Sequence, residues 1–117
     1  MKLLDAMYSI VSAEGQQLRL QLHPEHEIYQ AHFPGNPITP GVCIVQIIGE
    51  LLSGRVSRPL ALSKITNLKF NATISPIDNP EVEVVFTSVE DTGEACIAKG
   101  AIMDGETAMT KFSLVFI

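Results

Sequence analysis

The stretch HFPGNPITPG, residues 32–41, holds one histidine, three prolines and two glycines, and it runs directly into the apolar segment VCIVQIIGELL. A histidine can remove a proton next to a carbonyl group, and free backbone amides at the start of a helix can hold the oxygen that becomes negative. This order of residue types predicts proton-transfer chemistry on a carbonyl compound. His32 would be the base, and the amides of Gly41 and Val42 would be the donors.

The loop residues between the histidine and the apolar run shape the approach to those donors. Pro37 and Pro40 restrict the backbone, whereas Gly35 and Gly41 let a substrate come close to it. The loop is therefore predicted to present His32 rigidly.

These donors require a helix, and the sequence marks its ends. Pro40 precedes the apolar run and Gly54 follows it, the asymmetry expected for a helix from Gly41 to about Ser53. The segment is apolar on every side, which predicts burial on most faces. The first amides of such a helix lack intrahelical partners and carry partial positive charge.

Six further segments alternate between apolar and polar residues or are rich in β-forming residues, and we predict strands there. The first two are joined at Gly15 into a hairpin, and residues 24–40 are predicted to be loop. Asp91-Thr92-Gly93 and Asp104-Gly105 supply tight turns between the last three segments, which predicts an antiparallel meander. The six segments are 7–13, 17–22, 61–70, 81–90, 94–103 and 106–117.

The final strand has one clear face, and the pattern as a whole predicts the fold class. Every second residue from position 108 to 116 is predicted to share that face: Ala108, Thr110, Phe112, Leu114 and Phe116. Two strands, one buried helix and four strands predict an α+β domain over residues 1–117, in which a single antiparallel β-sheet wraps around one long central helix.

Composition excludes several classes of protein. The chain has 117 residues, is 46% hydrophobic and carries a net charge of −5, which argues against disorder and against nucleic-acid binding. Gln46 and Glu50 interrupt the longest apolar run, which is too short to cross a membrane. Asp5 interrupts the N-terminal apolar residues, so we expect no cleaved signal and a cytoplasmic location.

Two other groups of residues invite a metal or cofactor hypothesis. Cys43 and Cys96 lie in apolar segments without a neighbouring ligand and are predicted to be buried and inert. His23 and His26 are spaced three apart, but Pro24 lies between them and no third ligand is recognisable. We therefore expect neither a metal nor a cofactor.

The motif HFPGNPITPGV before a long apolar helix closely resembles the signature of the bacterial β-hydroxyacyl-(acyl-carrier-protein) dehydratases, which have the hotdog fold. Residues 3–35 resemble that family's opening hairpin and loop, and KFNATISPID (69–78) is similar to a further family segment. The resemblance implies a dimer joined edge to edge, with active sites at the interface. It also implies dehydration of a 3-hydroxyacyl thioester carried by acyl carrier protein, with His32 as the catalytic histidine.

The resemblance also assigns binding roles. The apolar helix would form one wall of an acyl-chain tunnel, and the basic residues that follow it, Arg55, Arg58 and Lys64, would dock the acidic carrier protein. The residues expected to bind the substrate are Phe33, Gly35, Pro40, Gly41 and Val42.

The chain departs from the family at one important position. Fourteen residues after the histidine, where the family has a carboxylate from the other subunit, stands Gln46, and Glu50 follows one turn later. An amide cannot donate a proton as an acid does.

Three alternatives follow. In the first, Glu50 or a water molecule replaces the missing acid, Gln46 holds the substrate hydroxyl, and the chain is an active dehydratase. In the second, the chain is a non-catalytic or partner-dependent acyl-binding subunit beside an active partner. The assembly is expected to be a homodimer or a heterodimer with a related dehydratase subunit. In the third, the same fold hydrolyses acyl thioesters.

Overall fold

Antiparallel strands form one continuous sheet in the computed structural model, which describes residues 2–31 and 35–117. The strand order is β1-β2-β4-β5-β6-β3, so that β1 and β3 are the two edges. The predicted α+β class with one antiparallel sheet is confirmed. The described residues form these strands: β1 Tyr8–Glu14, β2 Gln17–Leu22, β3 Leu62–Phe70, β4 Glu81–Asp91, β5 Cys96–Asp104 and β6 Thr107–Phe116.

The predicted hairpin and meander are both present. Gly15, at φ +58°, turns β1 into β2, because glycine adopts this left-handed conformation without a steric penalty. β4, β5 and β6 are consecutive neighbours in the sheet. The predicted face of β6 is buried from Thr110 to Phe116 at alternate positions, with Ala108 half-buried. The strand alternation therefore predicted the side of the sheet that faces the core.

The long helix α2 spans Gly41–Val56 and supplies much of the core. Pro40 precedes it in an extended conformation, as the sequence predicts. The predicted end near Ser53 was wrong, because Gly54 lies within the helix and the left-handed residue that terminates it is Ser57, at φ 57°. An exposed glycine costs a helix only about 1 kcal/mol relative to alanine, so neighbouring residues can carry the helix through it.

A short helix, α1 Glu27–Ala31, lies where the sequence predicted loop. Its first turn is held by His26, whose carbonyl accepts from the amides of Tyr29 and Gln30 and whose Nδ1 contacts the Ile28 amide at 3.1 Å. Tyr29 is fully buried, and its hydroxyl lies 2.8 Å from the Thr39 hydroxyl. Five residues are too few to produce a helical period in the sequence, which explains the wrong prediction.

The central helix approaches the sheet closely at one position. Gly49 is buried, and a Cβ atom placed on it would lie 2.9 Å from the ring of Phe116. The absence of a side chain at Gly49 therefore lets β6 pack against the middle of α2.

Strand β3 differs from the others in its burial. Of its nine residues only Leu68 is half-buried; the rest are exposed. The exposed residues include Leu62, Ile65 and Phe70, with exposed fractions of 43%, 49% and 48%. Within the part of the chain that the structure describes, β3 pairs only with β6, so its outer edge offers unpaired backbone groups.

Two further expectations concern membranes and metals. No helix among the described residues is long and apolar enough to cross a bilayer. Outside residues 1 and 32–34, no three histidine, cysteine or acidic side chains gather as a metal site would require. His23 instead contacts the Ser9 hydroxyl through Nε2 and the Ala6 carbonyl through Nδ1, at 2.6 and 3.1 Å.

Candidate active site

A cavity of about 910 Å³ lies along one face of α2. Val42, Gln46 and Glu50 line it, because residues four apart in a helix project from the same face. The N-terminal segment forms a second wall through Lys2 and Leu4. Other lining residues include Leu60 after the helix, Leu62 on the edge strand β3 and Phe116 on the inner strand β6.

Glu50 has an unusually complete set of hydrogen-bond donors. Its Oε2 accepts from the Leu3 amide at 2.7 Å and from Gln46 Nε2 at 3.0 Å. Its Oε1 accepts from the Leu4 amide and the Tyr8 hydroxyl, both at 2.9 Å. Both carboxylate oxygens are therefore held by the protein itself, in a half-buried position.

These contacts fix the N-terminal segment as a wall of the cavity. Leu3, Met7 and Tyr8 are fully buried. Burial raises the pKa of the Tyr8 phenol, and the hydrogen bond to Glu50 raises it further, so this hydroxyl stays protonated and donates. Buried apolar side chains and a bonded carboxylate thus anchor the same segment.

The start of α2 provides the predicted backbone donors. The amides of Cys43 and Ile44 donate to the Pro40 carbonyl, at 2.9 and 3.1 Å, and Pro40 offers no side-chain cap. The amides of Gly41 and Val42 therefore precede the first intrahelical bonds. The Val42 side chain is 78% exposed, so the first turn of the helix is open to an incoming molecule.

A second, apolar cavity of about 450 Å³ lies on the other side of the helix start. Pro40, Gly41, Ile44 and Phe70 are among its lining residues. A Cβ atom on Gly41 would lie 3.0 Å from the Phe70 ring. Phe70 therefore covers the backbone at Gly41, where a larger residue would displace it.

The structure brings part of the predicted site together. Val42, Gln46 and Glu50 share one cavity, and Pro40 and Gly41 begin the helix that carries them. Gly35 lies in the exposed loop before the helix, at φ +91°. His32 and Phe33 lie outside the described residues, so their roles stay predictions.

The three basic residues predicted to dock a carrier protein have different surroundings. Arg55 donates to the Gly15 carbonyl at 2.8 Å, across to the β1–β2 turn. Arg58 pairs with Asp91 at 2.6 Å and holds the pKa of that carboxyl below its usual range. Lys64 lies on the exposed strand β3. The first two residues therefore have partners within the chain.

Sequence reasoning did not anticipate the N-terminal contribution to the site. Leu3, Leu4 and Tyr8 meet Glu50 across 42 to 47 positions of sequence. No short motif encodes a contact of this length. Only the Gln46–Glu50 pair, four apart on one helix face, carried a signal in the sequence.

Comparisons with known proteins show which family the chain belongs to. Residues 9–101 match the family model described as ApeI-like, ApeI dehydratase. The whole chain aligns with 87% of a 3-hydroxyacyl-[acyl-carrier-protein] dehydratase FabZ of Latilactobacillus sakei, at 30% identity. The chain belongs to the ApeI-like dehydratases, a family similar to FabZ.

Solved structures support the hotdog fold alone, because their sequences are distant. The dehydratase heterocomplex ApeI:P from Xenorhabdus doucetiae matches with a TM-score of 0.59 and 14% identity, covering 90% of this chain and 91% of that one. A mutant thioesterase from Pseudomonas aeruginosa matches with a TM-score of 0.60 and 9% identity, covering 95% and 80%. The same fold therefore serves more than one reaction among its neighbours.

Proposed function

We propose that the chain is a dehydratase subunit that eliminates water from a (3R)-3-hydroxyacyl thioester carried by acyl carrier protein. The observation that carries this proposal is the face of α2, where Val42 and Gln46 line one cavity and the amides of Gly41 and Val42 precede the first hydrogen bonds of the helix. Both features suit an acyl thioester, because its carbonyl oxygen accepts hydrogen bonds from such amides and its acyl chain packs against apolar walls.

In the proposed reaction, His32 takes the proton from C2 of the acyl group. The carbonyl oxygen gains negative charge, and the amides of Gly41 and Val42 stabilise it. The C3–O bond then breaks as the C2–C3 double bond forms. The departing hydroxyl receives a proton and leaves as water, so the elimination is balanced without an oxidant or a cofactor.

The contacts of Glu50 bear on which group acts as the acid. Both of its oxygens accept hydrogen bonds from neighbouring protein donors. This arrangement favours a positioning role for Glu50 and a hydroxyl-binding role for Gln46. The proton for the leaving hydroxyl would then come from His32 itself or from a partner subunit.

A partner-dependent subunit is the second candidate, and two observations favour it. Among the described residues that line the cavity, Glu50 is the only acid. Strand β3 also leaves its outer edge exposed next to Leu62, which is itself a lining residue. A second subunit, identical or related, that paired along β3 would close this side of the cavity. Lys64 on the same strand would then lie close to an arriving carrier protein.

The test is dehydration of a 3-hydroxybutyryl-acyl-carrier-protein by the purified chain, alone and mixed with a related dehydratase subunit that keeps its helix carboxylate. We expect enoyl product that disappears in His32→Ala. Turnover by the chain alone supports the complete dehydratase, and turnover in the mixture alone supports the partner-dependent subunit. Hydrolysis to free acid without any enoyl product would overturn both in favour of a thioesterase.

Oligomeric state is tested separately with Ile65→Lys, an exposed substitution on β3. If subunits pair along this edge, the charged side chain weakens the assembly, and light scattering gives a lower mass than for the wild type. The control is Lys111→Glu, which also changes the net charge at an exposed position but lies on the inner strand β6. It should leave the mass unchanged.

A further inference from the structure

We infer that the buried hydrogen bond between Tyr29 and Thr39 is a positioning contact for the proposed reaction, because it fixes the chain on both sides of His32 relative to the first amides of α2. The inference rests on the proposed function, in which His32 is the base and those amides hold the carbonyl oxygen. It gives a role to two hydroxyl groups that the proposed reaction does not itself use.

The pair joins the two ends of the loop that carries His32. Tyr29 lies on α1, three residues before His32, and Thr39 lies two residues before the start of α2 at Gly41. The two hydroxyl oxygens are 2.8 Å apart, although the residues are separated by ten positions in the sequence. The contact therefore sets the separation between α1 and the start of α2.

Each partner is anchored to a different part of the protein. Tyr29 is fully buried, and its amide donates to the His26 carbonyl at 3.0 Å, within the turn that begins α1. Thr39 is also buried, and its amide donates to the carbonyl of the buried residue Ile74 at 2.8 Å. The hydroxyl contact links these two anchors, so neither can shift without breaking it.

The composition of the loop makes the position of its ends important. Pro34 and Pro37 lie within it and Pro40 follows it, and proline fixes the φ angle. Such a loop has few dihedral angles left to absorb a shift at either end, so the shift is transmitted to the residues between them. Proton transfer needs heavy atoms about 2.6 to 3.2 Å apart, and a misplacement of about 1 Å can cost about 100-fold in rate.

Packing alone does not require the two hydroxyl groups. Phenylalanine and valine would fill nearly the same space at positions 29 and 39, and a buried hydrogen bond adds little net stability over an apolar pair of the same shape. A hydrogen bond is directional and weakens steeply with distance and angle, whereas apolar surfaces can slide past each other. The hydroxyl groups therefore restrict position rather than fill volume.

The experiment compares Tyr29→Phe, Thr39→Val and the double variant in dehydration of a 3-hydroxybutyryl-acyl-carrier-protein, in the preparation that turns over in the test above. Each single variant leaves one buried hydroxyl without its partner, so the midpoint of urea unfolding should fall by roughly 1 M. The double variant removes both hydroxyls and should recover most of that loss. Its kcat should nevertheless be about tenfold below the wild type, with KM changed by less than about twofold, because the substrate contacts at α2 do not include the pair.

Two further variants serve as controls. Thr39→Ser keeps the hydroxyl group and should retain at least about half of the wild-type kcat. Ser9→Ala removes a hydroxyl that contacts His23 Nε2 at 2.6 Å, and neither residue is among the described lining residues of the two cavities. This change should lower the midpoint of urea unfolding and leave kcat unchanged.

A measurement without substrate tests the contact independently of turnover. Amide hydrogen exchange at Thr39, relative to that at Ile48 in the middle of α2, should be about tenfold faster in the double variant than in the wild type. The reason is that the hydrogen bond from the Thr39 amide to the Ile74 carbonyl opens more often once the hydroxyl contact is gone.

The possible outcomes distinguish this inference from the proposed function. A double variant with the wild-type kcat, or a Thr39→Ser variant as slow as Thr39→Val, would overturn the inference and leave the proposed function standing. Unchanged relative exchange at Thr39 would overturn it as well. If the wild type forms no enoyl product, alone or in the mixture, the proposed function fails, whereas the exchange measurement separately decides whether the pair holds the loop.

Discussion

Replacing Gln46 with glutamate should create a pair of carboxyl groups that shares one proton. The Gln46 nitrogen lies 3.0 Å from Glu50 Oε2, so the introduced carboxyl group would contact Glu50 directly. Two charges centred about 4 Å apart at an effective dielectric constant of about 20 repel by about 4 kcal/mol. Glu50 is already held by three other donors, so the introduced group should carry the proton.

The repulsion sets the expected pKa of the introduced group. Repulsion of this size would raise the pKa of the introduced group from the ordinary glutamate value of about 4.3 toward neutrality, and partial contact with solvent reduces the effect. Because this folded-state pKa is raised, the associated stability is present below about pH 4 and is lost as the pH rises through about 7. We expect a loss of about 2 to 4 kcal/mol relative to the wild type at high pH.

The assay is the pH dependence of dehydration of a 3-hydroxyacyl thioester. A protonated carboxyl group beside the leaving hydroxyl is a general acid, worth about 10² to 10⁴ in rate. Gln46→Glu should therefore be faster than the wild type near pH 6, with a rate that falls as the pH rises through about 6 to 7. Urea unfolding at pH 5 and pH 8 measures the accompanying loss of stability.

The matched control combines Gln46→Glu with Glu50→Gln. It keeps the introduced acid and removes the neighbouring charge, so the fall in rate should move to a lower pH by at least about one unit. A fall at the same pH in both variants would refute the reasoning, since the Glu50 charge would then have no effect on the new group. Equal stability of Gln46→Glu at pH 5 and pH 8 would refute it as well.

Packing and ionisation give two further predictions. Gly49→Ala should lower the free energy of unfolding by about 1 to 2 kcal/mol in urea titrations, because the new methyl group would lie 2.9 Å from the buried Phe116 ring. Gly54→Ala is the control: a Cβ atom at Gly54 would meet no atom within 4 Å, so this change should raise the free energy of unfolding by up to about 1 kcal/mol. Burial raises the pKa of Tyr29 to about 12 and also raises that of Tyr8. The contribution of these two phenols to stability should therefore be fully present below about pH 10 and be lost as the pH rises toward 12. Tyr29→Phe should flatten this alkaline loss, and an unchanged pH profile would contradict the assignment.

Much of the fold could be predicted because the local signals agree with the tertiary structure. Alternating residues predicted the strands to within two residues at most ends, and the turn at Gly15 predicted the first hairpin. Pro40 predicted the start of α2. Helix α1 was missed because five residues show no period, and the end of α2 was wrong because Gly54 does not stop an otherwise favourable helix.

The candidate site was predictable only where its residues are near in sequence. Glu50 follows Gln46 by one helical turn in the sequence, which places the two side chains on one helix face, and the structure places them in hydrogen-bond contact. The role of Glu50 was ambiguous in sequence because its other partners are distant. Leu3, Leu4 and Tyr8 reach it only after β1 and α2 have packed together.

The exchange of glutamine and glutamate along α2 is therefore tied to the N-terminal segment. Three donors from that segment, the Leu3 and Leu4 amides and the Tyr8 hydroxyl, converge on position 50. A glutamine there has one acceptor oxygen, and leaving a buried donor unsatisfied costs about 1 to 3 kcal/mol. A carboxylate at position 50 satisfies all three donors, and its Oε2, which accepts from the Leu3 amide, still has a lone pair for a fourth. The Gln46 amide is a neutral donor, so it can bond to this oxygen without charge repulsion. The N-terminal segment therefore favours a carboxylate at position 50, and that carboxylate in turn favours a neutral donor at position 46.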